Sequence, residues 1–303
     1  MRVRRWVTIV ACGATLAVGA TTAAAAATYP VPYSFAAGIV AEAVQPGASP
    51  PGANDWSCHP SPVHPYPVVL VHGTFGDMTD SWQALSPLLA NAGYCVFALN
   101  YGGPAGDPIQ ATGDIPTSAT QLASFVSRVL AATGAPQVDI VGHSQGGMMP
   151  RWYLKFLGGA PLVHTLVGLA PSNHGTTVDG LTTLAGSSPT FGSVLAPLCV
   201  ACTEQLAGSS FLATLNAGGD TVPGPTYTVI ETTHDEVVTP YRSAFLSGPD
   251  VTNLVVQSQC ATDVTEHLGI IYDRVALADV LHALDPSDGD PIPCSVVPPA
   301  LGG

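Results

Sequence analysis

The 303-residue chain predicts an α/β fold, with one mostly parallel sheet covered on both faces by helices. Three observations lead there. Short apolar runs of strand length alternate with stretches whose apolar residues recur at helical spacing, the pattern of strand–helix–strand crossovers. The segment Ile140-Val-Gly-His-Ser-Gln-Gly-Gly147 sets Gly142-x-Ser144-x-Gly146 directly after an apolar run and ahead of a helix, the sequence form of a sharp strand–turn–helix with serine at its apex. A chain of this length can also bury roughly 75% of its unfolded surface, enough for a single large core.

The elements follow in order. The start, Met1-Arg-Val-Arg-Arg-Trp, then an apolar stretch and the alanines 23–27, reads as a secretory signal over 1–27. Cys12 after Ile9-Val-Ala resembles a lipid-attachment box, but the apolar stretch runs past it. Residues 28–62, rich in Pro, Gly and Ala, are expected to form an extended arm tied down at Cys58. The main domain spans 63–285. Its first strand is 66–71. A helix capped by Thr79 or Asp80 should reach Ala92, with Pro87 breaking it and Gly93 ending it. Strand 95–99 and a loop over 102–116 follow. Helix 118–132 is the clearest in the chain, with Leu122, Phe125, Val126, Val129 and Leu130 on one face and Gly134 as its stop. After the strand 138–141 and its serine turn, a helix runs to Phe156, kinked or opened at Pro150. Strand 162–169 comes next. Residues 175–224 lack a strong period and are too long for an ordinary connection; they are expected to form a cap over the sheet's C-terminal edge. Strands 227–230 and 253–256, a helix over 271–284 and a Pro-rich tail over 286–303 complete the chain.

The formal net charge is −13, and losing Arg2, Arg4 and Arg5 with the signal makes it more negative. Such a surface is a poor partner for nucleic acid or anionic headgroups. No stretch after the signal is long and apolar enough to span a bilayer. The signal points to an extracellular protein, expected to be a monomer. Six cysteines remain beyond Cys12, and an even number in a secreted chain suggests disulfides. Fifteen pairings are possible on paper; sequence order favours Cys58–Cys95, Cys199–Cys202 and Cys260–Cys294. The Cys199-Val-Ala-Cys202 pair lacks a second pair or matched histidines, so no metal or other cofactor is expected.

The chemistry is read from Ser144. A serine hydroxyl needs a base to take its proton and an acid to orient the base. Gly142 and Gly146 are needed because side chains there would collide in the turn. In this chain order the acid follows the serine and the histidine comes last. The acids after Ser144 include Asp179, Glu204, Asp220, Glu231, Asp235, Glu236, Asp250, Asp263 and Glu266. Asp235 stands a few residues beyond strand 227–230, where a loop at the sheet's C-terminal edge should lie; Glu236 is its rival. Among the later histidines, His234 adjoins the acid and His282 lies inside the closing helix. His267 lies on a loop just before that helix, so it is the expected base. The backbone N–H of Gln145 and that of Thr74, in the loop after the first strand, are expected to receive an oxyanion, with the Thr74 hydroxyl as a third donor. His72, His143 and His174 read as structural histidines bonded to backbone.

With His72-Gly73-Thr74, Gly142-His-Ser-Gln-Gly-Gly147, Asp235-Glu-Val-Val-Thr-Pro240 and Glu266-His267 in this order, the chain resembles secreted bacterial triacylglycerol lipases of the α/β-hydrolase superfamily. It is most similar to actinobacterial lipases and esterases of the class 2 type. Met148-Met-Pro-Arg-Trp-Tyr153 and Leu169-Ala-Pro-Ser-Asn-His-Gly-Thr176 look like that group as well. Thr74, Ser144-Gln145 and the Asp-Glu-Val-Val-x-Pro stretch also resemble the yeast lipase B type, in which a threonine hydroxyl joins the oxyanion hole. The resemblance implies an α/β-hydrolase fold and hydrolysis of lipid esters, possible at a lipid–water interface, without a metal. Leu181, Leu184, Phe191, Val194 and Leu195 of the cap would then line the acyl site. An acyltransferase or a polyester or cutin hydrolase would use the same residues.

Overall fold

Six strands form a single parallel sheet in the computed structural model, which describes Met1 and residues 28–177, 180, 199–287 and 289–297. They are β1 (Val68–Val71), β2 (Val96–Leu99), β3 (Val138–His143), β4 (Val163–Leu169), β5 (Thr226–Glu231) and β6 (Val251–Val255), in the spatial order β2-β1-β3-β4-β5-β6. The chain moves outward from β1 to β2, then crosses back to β3 on the other side of β1. That reversal opens a crevice beyond the carboxyl ends of β1 and β3, where open parallel sheets bind their ligands. The leader expected over 1–27, past Met1, and the cap residues Leu181, Leu184, Phe191, Val194 and Leu195 fall outside the described residues.

Every residue of β1, β2 and β3 is buried, so alternate side chains serve two cores. Val69, Val71, Phe97, Leu99 and Ile140 face one layer, shared with Leu122, Val126 and Val129 of α4 (Ile115–Thr133) and Met148 and Met149 of α5 (Gln145–Phe156). Val68, Leu70, Val96, Val141 and Val167 face the other, shared with Leu85 and Leu89 of α3 (Leu85–Asn91) and Val275, Leu277 and Val280 of α9 (Arg274–Leu284). Burying a leucine- or valine-sized side chain contributes about 1.5–3 kcal/mol, which is why both faces need a helical cover.

Several boundaries differ from expectation, each for a local reason. The helix expected from Thr79 or Asp80 is two helices, α2 (Met78–Ser81) and α3. Asp77 is the cap: its side chain accepts from Thr79 N and Asp80 N, while Asp80 returns a bond to Asp77 N. Pro87 does not break the chain, because it is the third residue of α3, where no helical N–H bond exists to lose. Asp114 starts α4 three residues early by capping Thr117 N, with Pro116 in the first turn. α5 runs continuously through Pro150. The N–H that Pro150 lacks would have gone to the Gly146 carbonyl, and that carbonyl is the one against which Gly142 packs. β6 ends at Val255 and passes directly into α8 (Val256–Gln259).

The N-terminal arm is not extended throughout. Phe35–Val44 forms α1, and Gly38 lies so close to Asp80 O and the Tyr272 hydroxyl that a Cβ would collide with both. Further on, Asn54 adds itself to the outer edge of β2. Its N–H donates to Val96 O, its Nδ2 to Ala98 O, and its Oδ1 accepts from Ala98 N. A side-chain amide thus satisfies an edge strand that would otherwise be open to pairing. Cys58 is joined to Cys95 at the start of that strand. The described part of the expected cap contains α6 (Val200–Glu204) and α7 (Ser210–Asn216), helices too short to show a period in sequence. Cys199 and Cys202 bridge the first turn of α6. Cys260 and Cys294 tie the C-terminal tail to the loop after α8.

α9 carries two buried acids. Burial pushes Asp273 up to about 8, with the Asp263 carboxylate adding to the effect against the Ala276 N–H that Asp273 caps, and it pushes Asp279 up to about 6. Because their folded pKa values lie above the ordinary 3.8, the folded state holds these protons more tightly. The stability they confer is complete below the ordinary value and is lost as pH rises through the folded one. The free energy of unfolding should therefore fall between about pH 4 and 8, most steeply below about pH 6 where both groups contribute. Asp273→Asn keeps an acceptor for Ala276 N–H and cannot ionise, so denaturant titrations should show a shallower fall; equal slopes would mean that Asp273 does not titrate in this range.

Candidate active site

The loops that leave the carboxyl ends of β1, β3 and β5, and the loop between α8 and α9, meet at the crevice. Each supplies a residue singled out in the sequence. Ser144 closes β3 with φ 54° and ψ −121°, a backbone conformation that costs on the order of 1–3 kcal/mol for a non-glycine residue. The surroundings enforce it: Ser144 N donates to Leu169 O, and Ser144 O accepts from Gly147 N and Met148 N. A Cβ on Gly142 would strike the Gly146 carbonyl, and one on Gly146 would strike the carbonyls of Val71 and His72. The turn leaves Ser144 at the N-terminal end of α5, the positive end of its dipole.

The three residues of the expected series are brought together. His267 Nε2 lies 3.0 Å from Ser144 Oγ, and His267 Nδ1 lies 2.7 Å from Asp235 Oδ2. His267 is fully buried, and Asp235 and Ser144 nearly so. Asp235 Oδ1 accepts from Val237 N and Val238 N at 2.8 and 2.7 Å, which leaves Oδ2 aimed at the imidazole. Glu236 and His234 are exposed, and neither meets the ring nitrogens of His267. Burial alone would lower the His267 pKa, but the Asp235 charge and hydrogen bond outweigh it and the net shift is upward. Burial would raise Asp235, and its bonds to His267 and the backbone bring it below the ordinary carboxylate value.

The histidine loop is fixed from three sides. His143 Nε2 donates to His267 O at 2.9 Å. Thr232 Oγ1 donates to Thr265 O. Val264 N reaches Val297 O in the tail held by Cys294. His143 is fully desolvated and lowered to about 3, so it stays neutral. His72 bonds Gly73 O, stacks on Tyr101 and is lowered by burial to about 4. His174 sits between Ser243 O and Asp220, and Asp220 also faces Arg151. None of these is near the Ser144 hydroxyl in the way that His267 is.

Thr74 and Gln145 meet, but not in the expected way. Thr74 Oγ1 donates to Gln145 Oε1 at 2.7 Å and accepts from Gln205 Nε2 at 2.9 Å. The hydroxyl hydrogen is therefore committed to an amide oxygen and is not free for an oxyanion. Among the described residues, the backbone N–H groups of Thr74 and Gln145 have no hydrogen-bond acceptor. Gln205, on the stapled α6 turn, also donates to Gln145 Oε1 and accepts from Ser172 Oγ. No local pattern marks Gln205, a lone glutamine 60 residues from Gln145. Among the described residues, no group of three or more His, Cys, Asp or Glu side chains is arranged to hold a metal.

A triacylglycerol lipase of Vibrio cholerae is 28% identical over 228 residues, covering 74% of this chain and 66% of that protein. A triacylglycerol lipase of Pseudarthrobacter phenanthrenivorans is 39% identical over 93 residues, 29% of this chain and 27% of that protein. The match thus spans only about a quarter of that relative's length. Lipase B of Aspergillus fumigatus superposes with a TM-score of 0.58 at 24% identity, covering 81% of this chain and 57% of that one. The mature Bacillus licheniformis lipase BlEst2 gives 0.55 at 17% identity, covering 78% and 96%. At these identities the superpositions establish the α/β-hydrolase fold alone. The profile of the lipase (class 2) family matches residues 65–276, and the chain belongs to that family.

Proposed function

We propose that the protein is a secreted serine hydrolase that cleaves carboxylic esters of lipids through an acyl-enzyme on Ser144. The observation that carries this reading is the unbroken series of hydrogen bonds from Ser144 Oγ through His267 to Asp235. Neutral His267, with its Nδ1–H donated to Asp235, accepts the Ser144 proton at Nε2 as the oxygen attacks the ester carbonyl. The carbonyl oxygen gains charge and is received by the backbone N–H groups of Thr74 and Gln145, the latter at a helix N-terminus. His267 then gives its proton to the leaving alcohol, and the acyl group remains on Ser144. Water, deprotonated by His267, releases the acid. The names of the relatives support a triacylglycerol or similar lipid ester as substrate. The three disulfides support an oxidising compartment, in keeping with the leader read over 1–27. The cap around 175–224 is the segment proposed to line the acyl site.

Ser144→Ala should reduce hydrolysis of p-nitrophenyl esters and triglycerides by about four to six orders of magnitude and abolish labelling by a fluorophosphonate probe. Rates within tenfold of the unaltered enzyme would remove Ser144 from the role of nucleophile.

Catalysis needs neutral His267, whose pKa lies above the ordinary 6.5. kcat/KM should therefore fall as pH drops through a value above 6.5 and level off on the alkaline side. An acid limb well below that value would mean that Asp235 does not hold the imidazolium.

Thr74→Val removes the hydroxyl and keeps the backbone N–H. It strips Gln145 and Gln205 of a buried partner, so stability should drop by about 1–3 kcal/mol. Because the hydroxyl points at Gln145, kcat should fall by less than about a hundredfold. A larger loss of kcat with unchanged KM and unchanged melting temperature would show that the hydroxyl turns to the oxyanion during the reaction.

A further inference from the structure

We propose that Glu231, the last residue of β5, is a positioning residue for this series: its carboxyl group carries a proton and donates it in a hydrogen bond to the Asp235 carboxylate. The inference rests on the ester-hydrolase reading above and adds a member behind the acid.

Glu231 is fully buried. Its Oε1 accepts from Thr232 N at 2.8 Å, while Oε2 is sealed from solvent and has no hydrogen-bond partner among the described residues other than a carboxyl group to which it could itself donate. The neighbouring acid is Asp235, whose carboxylate is close enough to act on the Glu231 carboxyl group. Both oxygens of Asp235 already act as acceptors, Oδ1 from two backbone N–H groups and Oδ2 from His267. Two ionised carboxylates buried beside each other repel and have no hydrogen to share, whereas one proton between them relieves the repulsion and gives Oε2 a partner. The donors decide which acid holds it. Asp235 is surrounded by two amides and an imidazole, whereas Glu231 has one amide and no cation. Burial, reinforced by the Asp235 charge, accordingly pushes Glu231 well above the usual carboxylate range, while Asp235 is held below it. The other titratable groups acting on this cluster are Glu236 beside Asp235, Glu266 and His267 in the loop after α8, and His143 at the end of β3.

A protonated Glu231 gives Asp235 a further donor without adding a second negative charge. That stabilises the ionised aspartate and moderates its pull on the proton of His267. A leucine at this position withdraws the donor. Asp235 then becomes more basic, and the histidine–aspartate pair holds its proton to higher pH. A glutamine keeps a donor, an amide N–H in place of the O–H.

Steady-state hydrolysis of a p-nitrophenyl ester over a pH series tests this with Glu231→Leu, Glu231→Gln and Ser144→Ala. Glu231→Leu should lose about tenfold or more in kcat with little change in KM, and its acid limb should move to higher pH. Glu231→Gln should recover to within about threefold of the unaltered enzyme, with the limb back in place. Glu231→Gln as impaired as Glu231→Leu, or with its limb moved to lower pH, would show that Glu231 acts as a negative charge and overturn the proposal. Glu231→Leu with an unmoved limb, whatever its rate, would also overturn it, since loss of kcat alone is what a packing defect gives. Infrared difference spectra of unaltered enzyme minus Glu231→Gln at neutral pH provide a readout that does not depend on turnover or on Glu231→Leu folding. Loss of a protonated-carboxyl band supports the proposal, and loss of a carboxylate band refutes it. If Ser144→Ala hydrolyses normally, the hydrolase reading fails, while the infrared result still reports where the proton sits.

Discussion

The left-handed backbone at Ser144 is the constraint to which the surrounding structure answers. A non-glycine residue holds φ 54° only when its neighbours leave no alternative. Here those neighbours are β3 and β4 through Leu169 O, the first turn of α5 through Gly147 and Met148, and the β1 loop pressed against Gly146. The same packing brings the Thr74 loop against the start of α5, so the geometry that strains the serine also sets two backbone N–H groups beside it. Pro150 belongs to this arrangement. It frees the Gly146 carbonyl of a helical partner at the point where Gly142 must approach it.

Behind the serine, the site depends on buried polar groups that satisfy one another. In a low-dielectric interior an unpaired polar group costs about 1–3 kcal/mol, so networks there specify one arrangement strongly. His143 holds the backbone of His267, two amides orient Asp235, and Thr74, Gln145, Gln205 and Ser172 form a connected cluster on the other side. His143 and His72 are neutral because burial forbids the charge, which leaves His267 as the imidazole whose protonation Asp235 favours.

The disulfides work at the margins of this centre. Cys58–Cys95 ties the arm to the edge strand that Asn54 covers. Cys199–Cys202 tightens the turn that presents Gln205, and Cys260–Cys294 anchors the tail against the loop leading to His267. Each cross-link lies in a segment of weak periodicity, two of them joining distant parts of the chain and one closing a single turn. Such segments bury too little apolar surface of their own to hold a unique position.

The sequence by itself determined the strand–helix alternation, the Gly142-x-Ser144-x-Gly146 turn, and an acid and a histidine in the order that such a turn requires. These are legible because they are local. A period, a cap or a turn is written within a few neighbouring residues, and Asp235 and His267 are marked by their distance from predicted strand ends. Tertiary structure alone decided what lies across the chain from what. It committed the Thr74 hydroxyl to Gln145, brought in Gln205 from 131 residues beyond Thr74, and set Glu231 against Asp235. It also made a helix of Phe35–Val44, whose outer face includes exposed Ile39 and Val40 and whose place is fixed by contact of Gly38 with Asp80 and Tyr272. A hydrogen bond between distant residues leaves no trace in spacing, because its partners are selected by the register of the sheet and the packing of its loops.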